Sequence, residues 1–205
     1  MSAVFSIALE HLWLSVAGVF LACVIGVPMG IVILKIRVLA GPVMGVIDIL
    51  QTIPSLAMLA LVMFFFGLGN MSLITALFIY ALLPVVRNTF IGLTGVKSEL
   101  LEAGKGMGMT GWQLLWQVQL PIALPVILAG FRVAVVTSIG IATIGTLIGA
   151  GGLGEPIWRG IQLVNTPMIL SGAVPAALLA IIADYSLGLL EKSVVSRGLQ
   201  VKNTN

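Results

Sequence analysis

Apolar residues fill five long runs of this chain, and shorter stretches between the runs hold most of its polar residues. A helix needs roughly 20 residues to cross a hydrocarbon layer about 30 Å thick, because it rises about 1.5 Å per residue. The pattern therefore predicts an all-α membrane protein with five transmembrane helices in one domain. The predicted spans cover residues 12–34, 43–66, 71–91, 124–148 and 168–190, and a polar helical loop covers about 97–121.

Composition supports lipid as the surrounding solvent. Of the 205 residues, 60% are hydrophobic and only 8% are charged, and the mean hydropathy is +1.19. A soluble domain usually carries about 25% charged residues. A water-soluble core of this size cannot hide so much apolar surface, so the chain is expected to lie in a membrane.

Positive charge falls mainly on one side of a five-span chain. Arg159 lies clearly on the other side, and Arg87 and Arg132 lie near or within spans. Because basic loops tend to remain in the cytoplasm, we expect the N-terminus outside and the C-terminus in the cytoplasm. The net charge of +3 then reflects topology and predicts no nucleic-acid partner. The basic residues on the predicted cytoplasmic side are Lys35, Arg37, Lys97, Lys105, Lys192, Arg197 and Lys202.

The sequence offers no set of residues for catalysis. His11 and Cys23 are the only histidine and cysteine, and neither is close in sequence to a cluster of acidic residues. We therefore predict a protein that is not an enzyme, with no metal site and no cofactor. The glycine-rich stretch GAGGLG at 149–154 follows a span on the predicted outer side, where a turn is expected in place of a nucleotide site.

The polar loop predicts two short helices joined by glycines. SELLEAGKGMG forms the first, with Ser98 as N-cap and Gly104, Gly106 and Gly108 weakening and ending it. WQLLWQVQL forms the second, and Pro121 closes the unit before the next span. Its predicted common face holds Trp112, Leu115, Trp116 and Gln119. From the residues alone, this unit either docks on a partner protein or lies on the bilayer with its tryptophans at the headgroups.

The spacing of the loop resembles a motif of the inner-membrane permeases of ABC importers. That motif reads E-A-A, three residues, G, nine residues, I, any residue, L-P. Here Glu102-Ala103-Gly104 is followed by Gly108 and then by Val118-Gln119-Leu120-Pro121, with Gly104 and Val118 as the departures. Gly104 is expected to loosen the first helix. The resemblance implies a type I importer permease that docks on a cytoplasmic ATP-binding subunit through Glu102, Ala103, Gly104, Gly108, Leu120 and Pro121.

Two further segments resemble one branch of this family, the permeases for glycine betaine, carnitine and choline. They are DILQTIPSLAMLALVMFFFGLG at 48–69 and AVVTSIGIATIGTLIGAGGLG at 134–154. The resemblance implies a bacterial or archaeal inner-membrane protein, a second permease subunit, identical or different, and an extracytoplasmic substrate-binding protein. A permease for another small solute such as an amino acid is the alternative. A secondary transporter is a further one, although no internal repeat supports it.

Polar residues within the spans suggest a solute path. Polar groups in a bilayer usually face protein or a water-filled cavity, but Ser and Thr also bond the backbone of their own helix, and both interpretations stay open. For Asp184 the alternatives are attraction of a cationic solute and pairing with a basic residue such as Arg132. The candidate path residues are Asp48, Gln51, Thr52, Ser55, Thr137 and Ser138.

Overall fold

The computed structural model of the protein describes residues 2–194. Arg197 and Lys202, which contribute to the topology prediction, lie outside the described residues. The described chain is helical, with short connections. Its α-helices are α1 Ser2–Lys35, α2 Ala40–Thr52, α3 Ser55–Phe66, α4 Asn70–Thr94, α5 Ser98–Gly106, α6 Gly111–Leu114, α7 Leu120–Ala142, α8 Gly154–Gln162 and α9 Thr166–Val194.

Four helical stretches are long and apolar enough to cross a membrane: Val4–Lys35, Asn70–Thr94, Gly111–Ile148 and Thr166–Ser193. They contain the first, third, fourth and fifth predicted spans. The helix that contains the first predicted span, α1, begins before residue 12, at Ser2. The helix continues past His11, whose two ring nitrogens form hydrogen bonds with distant backbone groups.

The second predicted span is broken. A short 3₁₀ turn and α2 cover Arg37–Thr52, α3 covers Ser55–Phe66, and the two helical parts are bent by 102°. The residue before a proline is disfavoured in the helical conformation, and Ile53, directly before Pro54, has φ −68° and ψ 124°. The pair therefore forms either one bent span or a re-entrant segment.

Two prolines leave carbonyl groups that stabilise this bend. Pro84 in α4 has no N–H, so the Tyr80 carbonyl lacks its usual partner four residues on, and Gln51 Nε2 donates to it at 2.5 Å. The break at Pro54 likewise frees the Ile53 carbonyl, which accepts a hydrogen bond from the Tyr80 hydroxyl. The end of α2 and the middle of α4 thus satisfy each other's unpaired backbone groups.

α4 lies at the centre of the bundle and packs against α1, α2, α3 and α7. Its contact with α1 is close because small residues of α1 face it. A Cβ atom on Gly18 would lie 2.7 Å from Leu77 Cβ, and one on Gly30 would lie 2.6 Å from Thr89 Cγ2. Without side chains here, the two backbones approach closely, as is common between helices in membranes.

The stretch at 149–154 forms the turn that its glycines predict. A 3₁₀ segment, Thr143–Ile148, ends at Gly149 with φ 75°, and α8 begins at Gly154. His11 holds the turn: the Leu153 N–H donates to Nδ1 at 3.3 Å, and Nε2 lies 3.0 Å from the Ile139 carbonyl oxygen. With Nδ1 accepting, Nε2 carries the proton and donates it. One buried side chain therefore joins α1, α7 and the turn.

Candidate functional site

The polar loop contains an exposed helix, α5. Glu102 and Ala103 are exposed on it, whereas Gly104 is buried against the start of the following helix. A Cβ atom on Gly104 would lie 3.0 Å from Leu114 Cδ2 and 3.1 Å from Met109 Sδ. Glycine at this motif position thus does more than loosen the helix, because it lets α5 pack closely on Leu114.

The start of α5 differs by one residue from the prediction. Lys97 occupies the N-cap position with φ −58° and ψ 135°, and no side chain caps the helix. Ser98 is therefore the first helical residue and not the N-cap. Glu99 lies in the first turn, where a negative charge interacts favourably with the helix dipole.

The end of α5 depends on a glycine in the left-handed region. Gly108 has φ 81°, a conformation that glycine adopts without the steric cost of a side chain. The Met107 and Met109 N–H groups donate to the carbonyls of Ala103 and Gly104, both at 3.0 Å. These bonds close the helix and reverse the chain within a few residues.

A capping box that the sequence interpretation missed begins the next helix. Gln113 N–H donates to Thr110 Oγ1 at 3.3 Å, and Thr110 N–H donates to Gln113 Oε1 at 2.7 Å. The pattern Thr, two residues, Gln is a sequence signal for a helix start. It marked this boundary independently of the family motif.

The predicted second short helix is not a separate unit. α6 passes through a π-helical turn at Leu115–Gln119 directly into α7, so the helix runs unbroken through Pro121. The prediction that Pro121 closes the unit is wrong, because the π-helical turn directly before it carries the helix on into α7. The preceding π turn bonds Leu120 N–H to the Leu115 carbonyl. The second half of the loop is thus continuous with the long helix Gly111–Ile148.

Two tryptophans cover the exposed side of this helix start. Trp112 and Trp116 are 61% and 53% exposed, with ring centroids 5.5 Å apart. Leu115 lies inside the protein at 1% exposure, so the predicted common face is split. Lys35, at the end of α1, places its Nζ 5.3 Å from the centroid of the Trp112 ring. Around this exposed surface, Pro121 is also exposed and Leu120 is half-buried.

Three of the four candidate path residues in the broken span have partners within the chain. Asp48 forms an ion pair with Arg87 of α4, Gln51 bonds the Tyr80 carbonyl, and Thr52 Oγ1 donates to the Ile49 carbonyl at 2.7 Å. Ser55 is half-buried at the start of α3. These contacts give three of the four residues a structural role, and their lining of a solute path stays a prediction.

The two candidate residues of α7 differ. Thr137 is exposed and donates to its own helix, to the Val133 carbonyl at 2.7 Å. Ser138 is buried at 1% exposure, and its Oγ has no hydrogen-bond partner among the described residues. Nothing in the contacts of α7 explains why this position carries a hydroxyl group.

A second ion pair joins α7 and α9. Arg132 Nε and Nη2 lie 2.5 Å and 2.6 Å from the two carboxylate oxygens of Asp184, and Glu191 Oε2 is 3.9 Å from Nη1. Pairing limits the cost of placing these two charges at membrane depth. The sequence offered Arg132 as a partner for Asp184, and the structure confirms the contact.

Comparison with known proteins gives a single family. Residues 17–196 match the family described as "Binding-protein-dependent transport system inner membrane component". Among curated proteins, the chain is 50% identical over 186 residues to the glycine betaine/carnitine/choline transport system permease protein OpuCD of Bacillus subtilis, covering 90% of this chain and 81% of that protein. It is 44% identical over 200 residues to the osmoprotectant import permease protein OsmW of Salmonella typhimurium, covering 95% and 93%.

Solved structures show the same fold. An inward-facing form of the MetNI methionine ABC transporter matches with a TM-score of 0.80 and 24% identity, covering 93% of this chain and 95% of that one. A crystal structure of an amino acid ABC transporter with histidines matches with a TM-score of 0.71 and 21% identity, covering 94% and 96%. The fold is that of an ABC importer permease. The chain belongs to the family of inner-membrane components of binding-protein-dependent transport systems.

Proposed function

We propose that this chain is the permease subunit of an ATP-driven importer for osmoprotectants such as glycine betaine, carnitine or choline. Support for the solute class comes from curated relatives that carry these solutes in their names and match nearly the whole chain, among them OpuCD at 50% identity. The carnitine transport permease OpuCB of Listeria monocytogenes, at 45% identity over 93% of this chain, adds to it.

The exposed helix α5 supports docking on a separate ATP-binding subunit. Glu102, Ala103 and Gly108 are exposed at the motif positions, and the helix that follows α5 continues without a break into the long helix Gly111–Ile148. A push on α5 would therefore be transmitted to that helix. The permease itself has no ATPase role in this proposal, and the energy for transport comes from its partner.

The orientation proposed from charge puts α5 in the cytoplasm. Lys35, Lys97 and Lys105 then share that side with the ATP-binding subunit. The contact of the Lys35 ammonium group with the Trp112 ring supports this for Lys35, because it places the end of α1 beside the loop. The 149–154 turn and α8 face the outside, where the substrate-binding protein would deliver solute. Two permease subunits and two ATP-binding subunits form the proposed assembly.

Uptake into vesicles tests the proposed function. Permease alone should move none of the three solutes, whereas the complex with its ATP-binding subunit and binding protein should accumulate at least one of them. Accumulation should require internal ATP and should persist when an ionophore collapses the proton and sodium gradients. Loss of uptake with the ionophore, at constant ATP, would favour a secondary transporter. ATP-dependent uptake of an amino acid, but of none of the three solutes, would support an ATP-driven importer and contradict the proposed solute class.

A further inference from the structure

A cavity of about 340 Å³ lies beside the ion pair between α7 and α9 and opens at the surface of the subunit. Three of its lining residues carry polar groups, and the other three are small and apolar. This combination can hold a small solute that has both charges and methyl groups. The lining residues are Ala129, Arg132, Val133, Val136, Thr137 and Asp184.

The guanidinium group of Arg132 retains donors beyond its pair with Asp184. Nε and Nη2 bind the carboxylate, whereas Nη1 lies 3.9 Å from Glu191, beyond hydrogen-bond range. A guanidinium has five N–H donors, so Arg132 can donate hydrogen bonds to a second carboxylate or exchange Asp184 for it. Gly188 leaves room for this group, because a Cβ there would lie 3.3 Å from Nη1.

The position of the Arg132–Asp184 ion pair along α7 limits what can lie beside it. Arg132 is twelve residues beyond the start of α7 at Leu120, which corresponds to about 18 Å along the helix. Its side chain is 38% exposed and that of Asp184 is 43% exposed. Charged groups at membrane depth face protein or a water-filled cavity, and not lipid. This face of α7 and α9 therefore points toward a second subunit, an aqueous path, or both.

We propose that this cavity is a solute-binding site on the transport path, and that it recognises the two poles of a zwitterion. The carboxylate of the solute binds Arg132, its methylated ammonium group lies against Asp184, and Ala129, Val133 and Val136 contact the methyl groups. The inference rests on the proposed function and assigns the site to named residues. Arg132 then distinguishes solutes with a carboxylate from solutes without one.

Choline provides the comparison, because it has the methylated ammonium group but no carboxylate. Arg132→Gln should lower betaine uptake relative to choline uptake by about tenfold, since a hydrogen bond to a charged group is lost. Asp184→Asn should lower uptake of both solutes together and leave the ratio unchanged. A ratio does not depend on how much protein reaches the membrane, so weakened folding alone cannot produce the shift.

Two variants control this uptake experiment. Arg159→Gln removes another ion pair, Glu155–Arg159 within α8, which is not part of the cavity, and it should leave the ratio unchanged. The double variant Arg132→Gln with Asp184→Asn removes both charges without leaving one unpaired, and it should keep the altered ratio. If the ratio in Arg132→Gln equals that of the wild type, or shifts equally in Arg159→Gln, the proposal is wrong.

Cysteine labelling measures occupancy directly and does not require choline transport. In a Cys23→Ala background, Thr137→Cys places a thiol on the cavity wall, and Thr94→Cys places one at the exposed end of α4. In the assembled complex, an aqueous thiol reagent should label both positions. Saturating betaine should slow labelling at 137 but not at 94, and Arg132→Gln should abolish that protection.

The outcomes separate this inference from the proposed function. Lack of uptake of all three solutes by the wild-type complex would reject the osmoprotectant function itself. Normal uptake with no aqueous labelling at 137 would mean that the cavity faces lipid or is closed by a neighbouring subunit, which overturns the inference. Labelling without protection by betaine would overturn it as well.

Discussion

Two glycine-rich connections of this protein use glycine for opposite reasons. At the end of α5 and in its connection to α6, a Cβ atom on Gly106 or Gly108 would meet nothing within 4 Å. In the 149–154 turn, a Cβ atom on Gly152 would lie 2.7 Å from His11 Nδ1, and one on Gly154 only 2.0 Å from the Thr143 carbonyl oxygen. The first connection is open and available to a partner, whereas the second is packed into the fold.

This difference shows that glycine content alone does not indicate a mobile or functional loop. Gly108 is required because its backbone has a φ of 81°, and the space around it is open. Gly152 combines a φ of 104° with a crowded position. Substitutions in the second connection should therefore damage the fold, and substitutions in the first should damage coupling.

The largest effect is expected from Gly154→Ala. Its new methyl group would overlap the backbone oxygen of Thr143, which cannot rotate away as a side chain would. Overpacking of this kind should lower the free energy of unfolding by about 3 kcal/mol. Thermal unfolding in detergent and the amount of protein in the membrane measure the loss. Gly106→Ala is the matched control. Equal losses of stability in the two variants would contradict the conclusion that the two connections differ in packing.

Glu102→Lys should abolish transport without such a loss of stability. Glu102 is exposed on α5, so the change should alter the free energy of unfolding by no more than about 0.5 kcal/mol. Reversal of charge at the proposed docking surface should lower ATP-dependent uptake by at least about tenfold. The lysine would repel groups on the ATP-binding subunit that the native carboxylate attracts. Crosslinking to the ATP-binding subunit provides a second measurement. Normal crosslinking together with normal uptake would remove α5 from the docking surface.

His11→Ala should weaken the packed connection by an intermediate amount. It leaves the Leu153 N–H and the Ile139 carbonyl without their present partner in a buried site. We expect the free energy of unfolding to fall by about 2 kcal/mol, since each unsatisfied buried group costs about 1–3 kcal/mol and water can compensate in part. Thermal unfolding checks this, with Thr110→Ala in the open connection as the contrast. A smaller loss for His11→Ala than for Thr110→Ala would contradict the assigned difference.

The smallest effect is expected from Gly104→Ala. Alanine favours a helix over glycine by about 1 kcal/mol, but the new methyl group would meet Leu114 Cδ2 at 3.0 Å. Leu114 and Met109 are flexible side chains that can shift by a few tenths of an ångström, so the two effects should nearly cancel. A loss of stability comparable to that of Gly154→Ala would show that α5 is as tightly packed as the 149–154 turn.

The class of the protein and the location of its polar loop could be predicted from the amino-acid sequence alone. Long runs of apolar residues are enough to predict helices in lipid, because a helix of that length bonds the backbone groups of a whole span within the segment itself. The loop motif from Glu102 to Pro121 could be identified because its spacing is local. The Thr110–Gln113 capping box is equally local and could have been found. The contact of Asp184 with Arg132 was anticipated because a charge in a span needs a partner.

Which residues act together across the helices became visible only in the folded protein. Pro54 and Pro84 are visible in the sequence, but it does not reveal that Gln51 and Tyr80 bond the carbonyl groups that these prolines leave free. Nor does it reveal that His11 joins α1 to Ile139 and Leu153, which are more than 120 residues away. Helix formation depends on neighbours along the chain, whereas these contacts depend on which faces of distant helices meet.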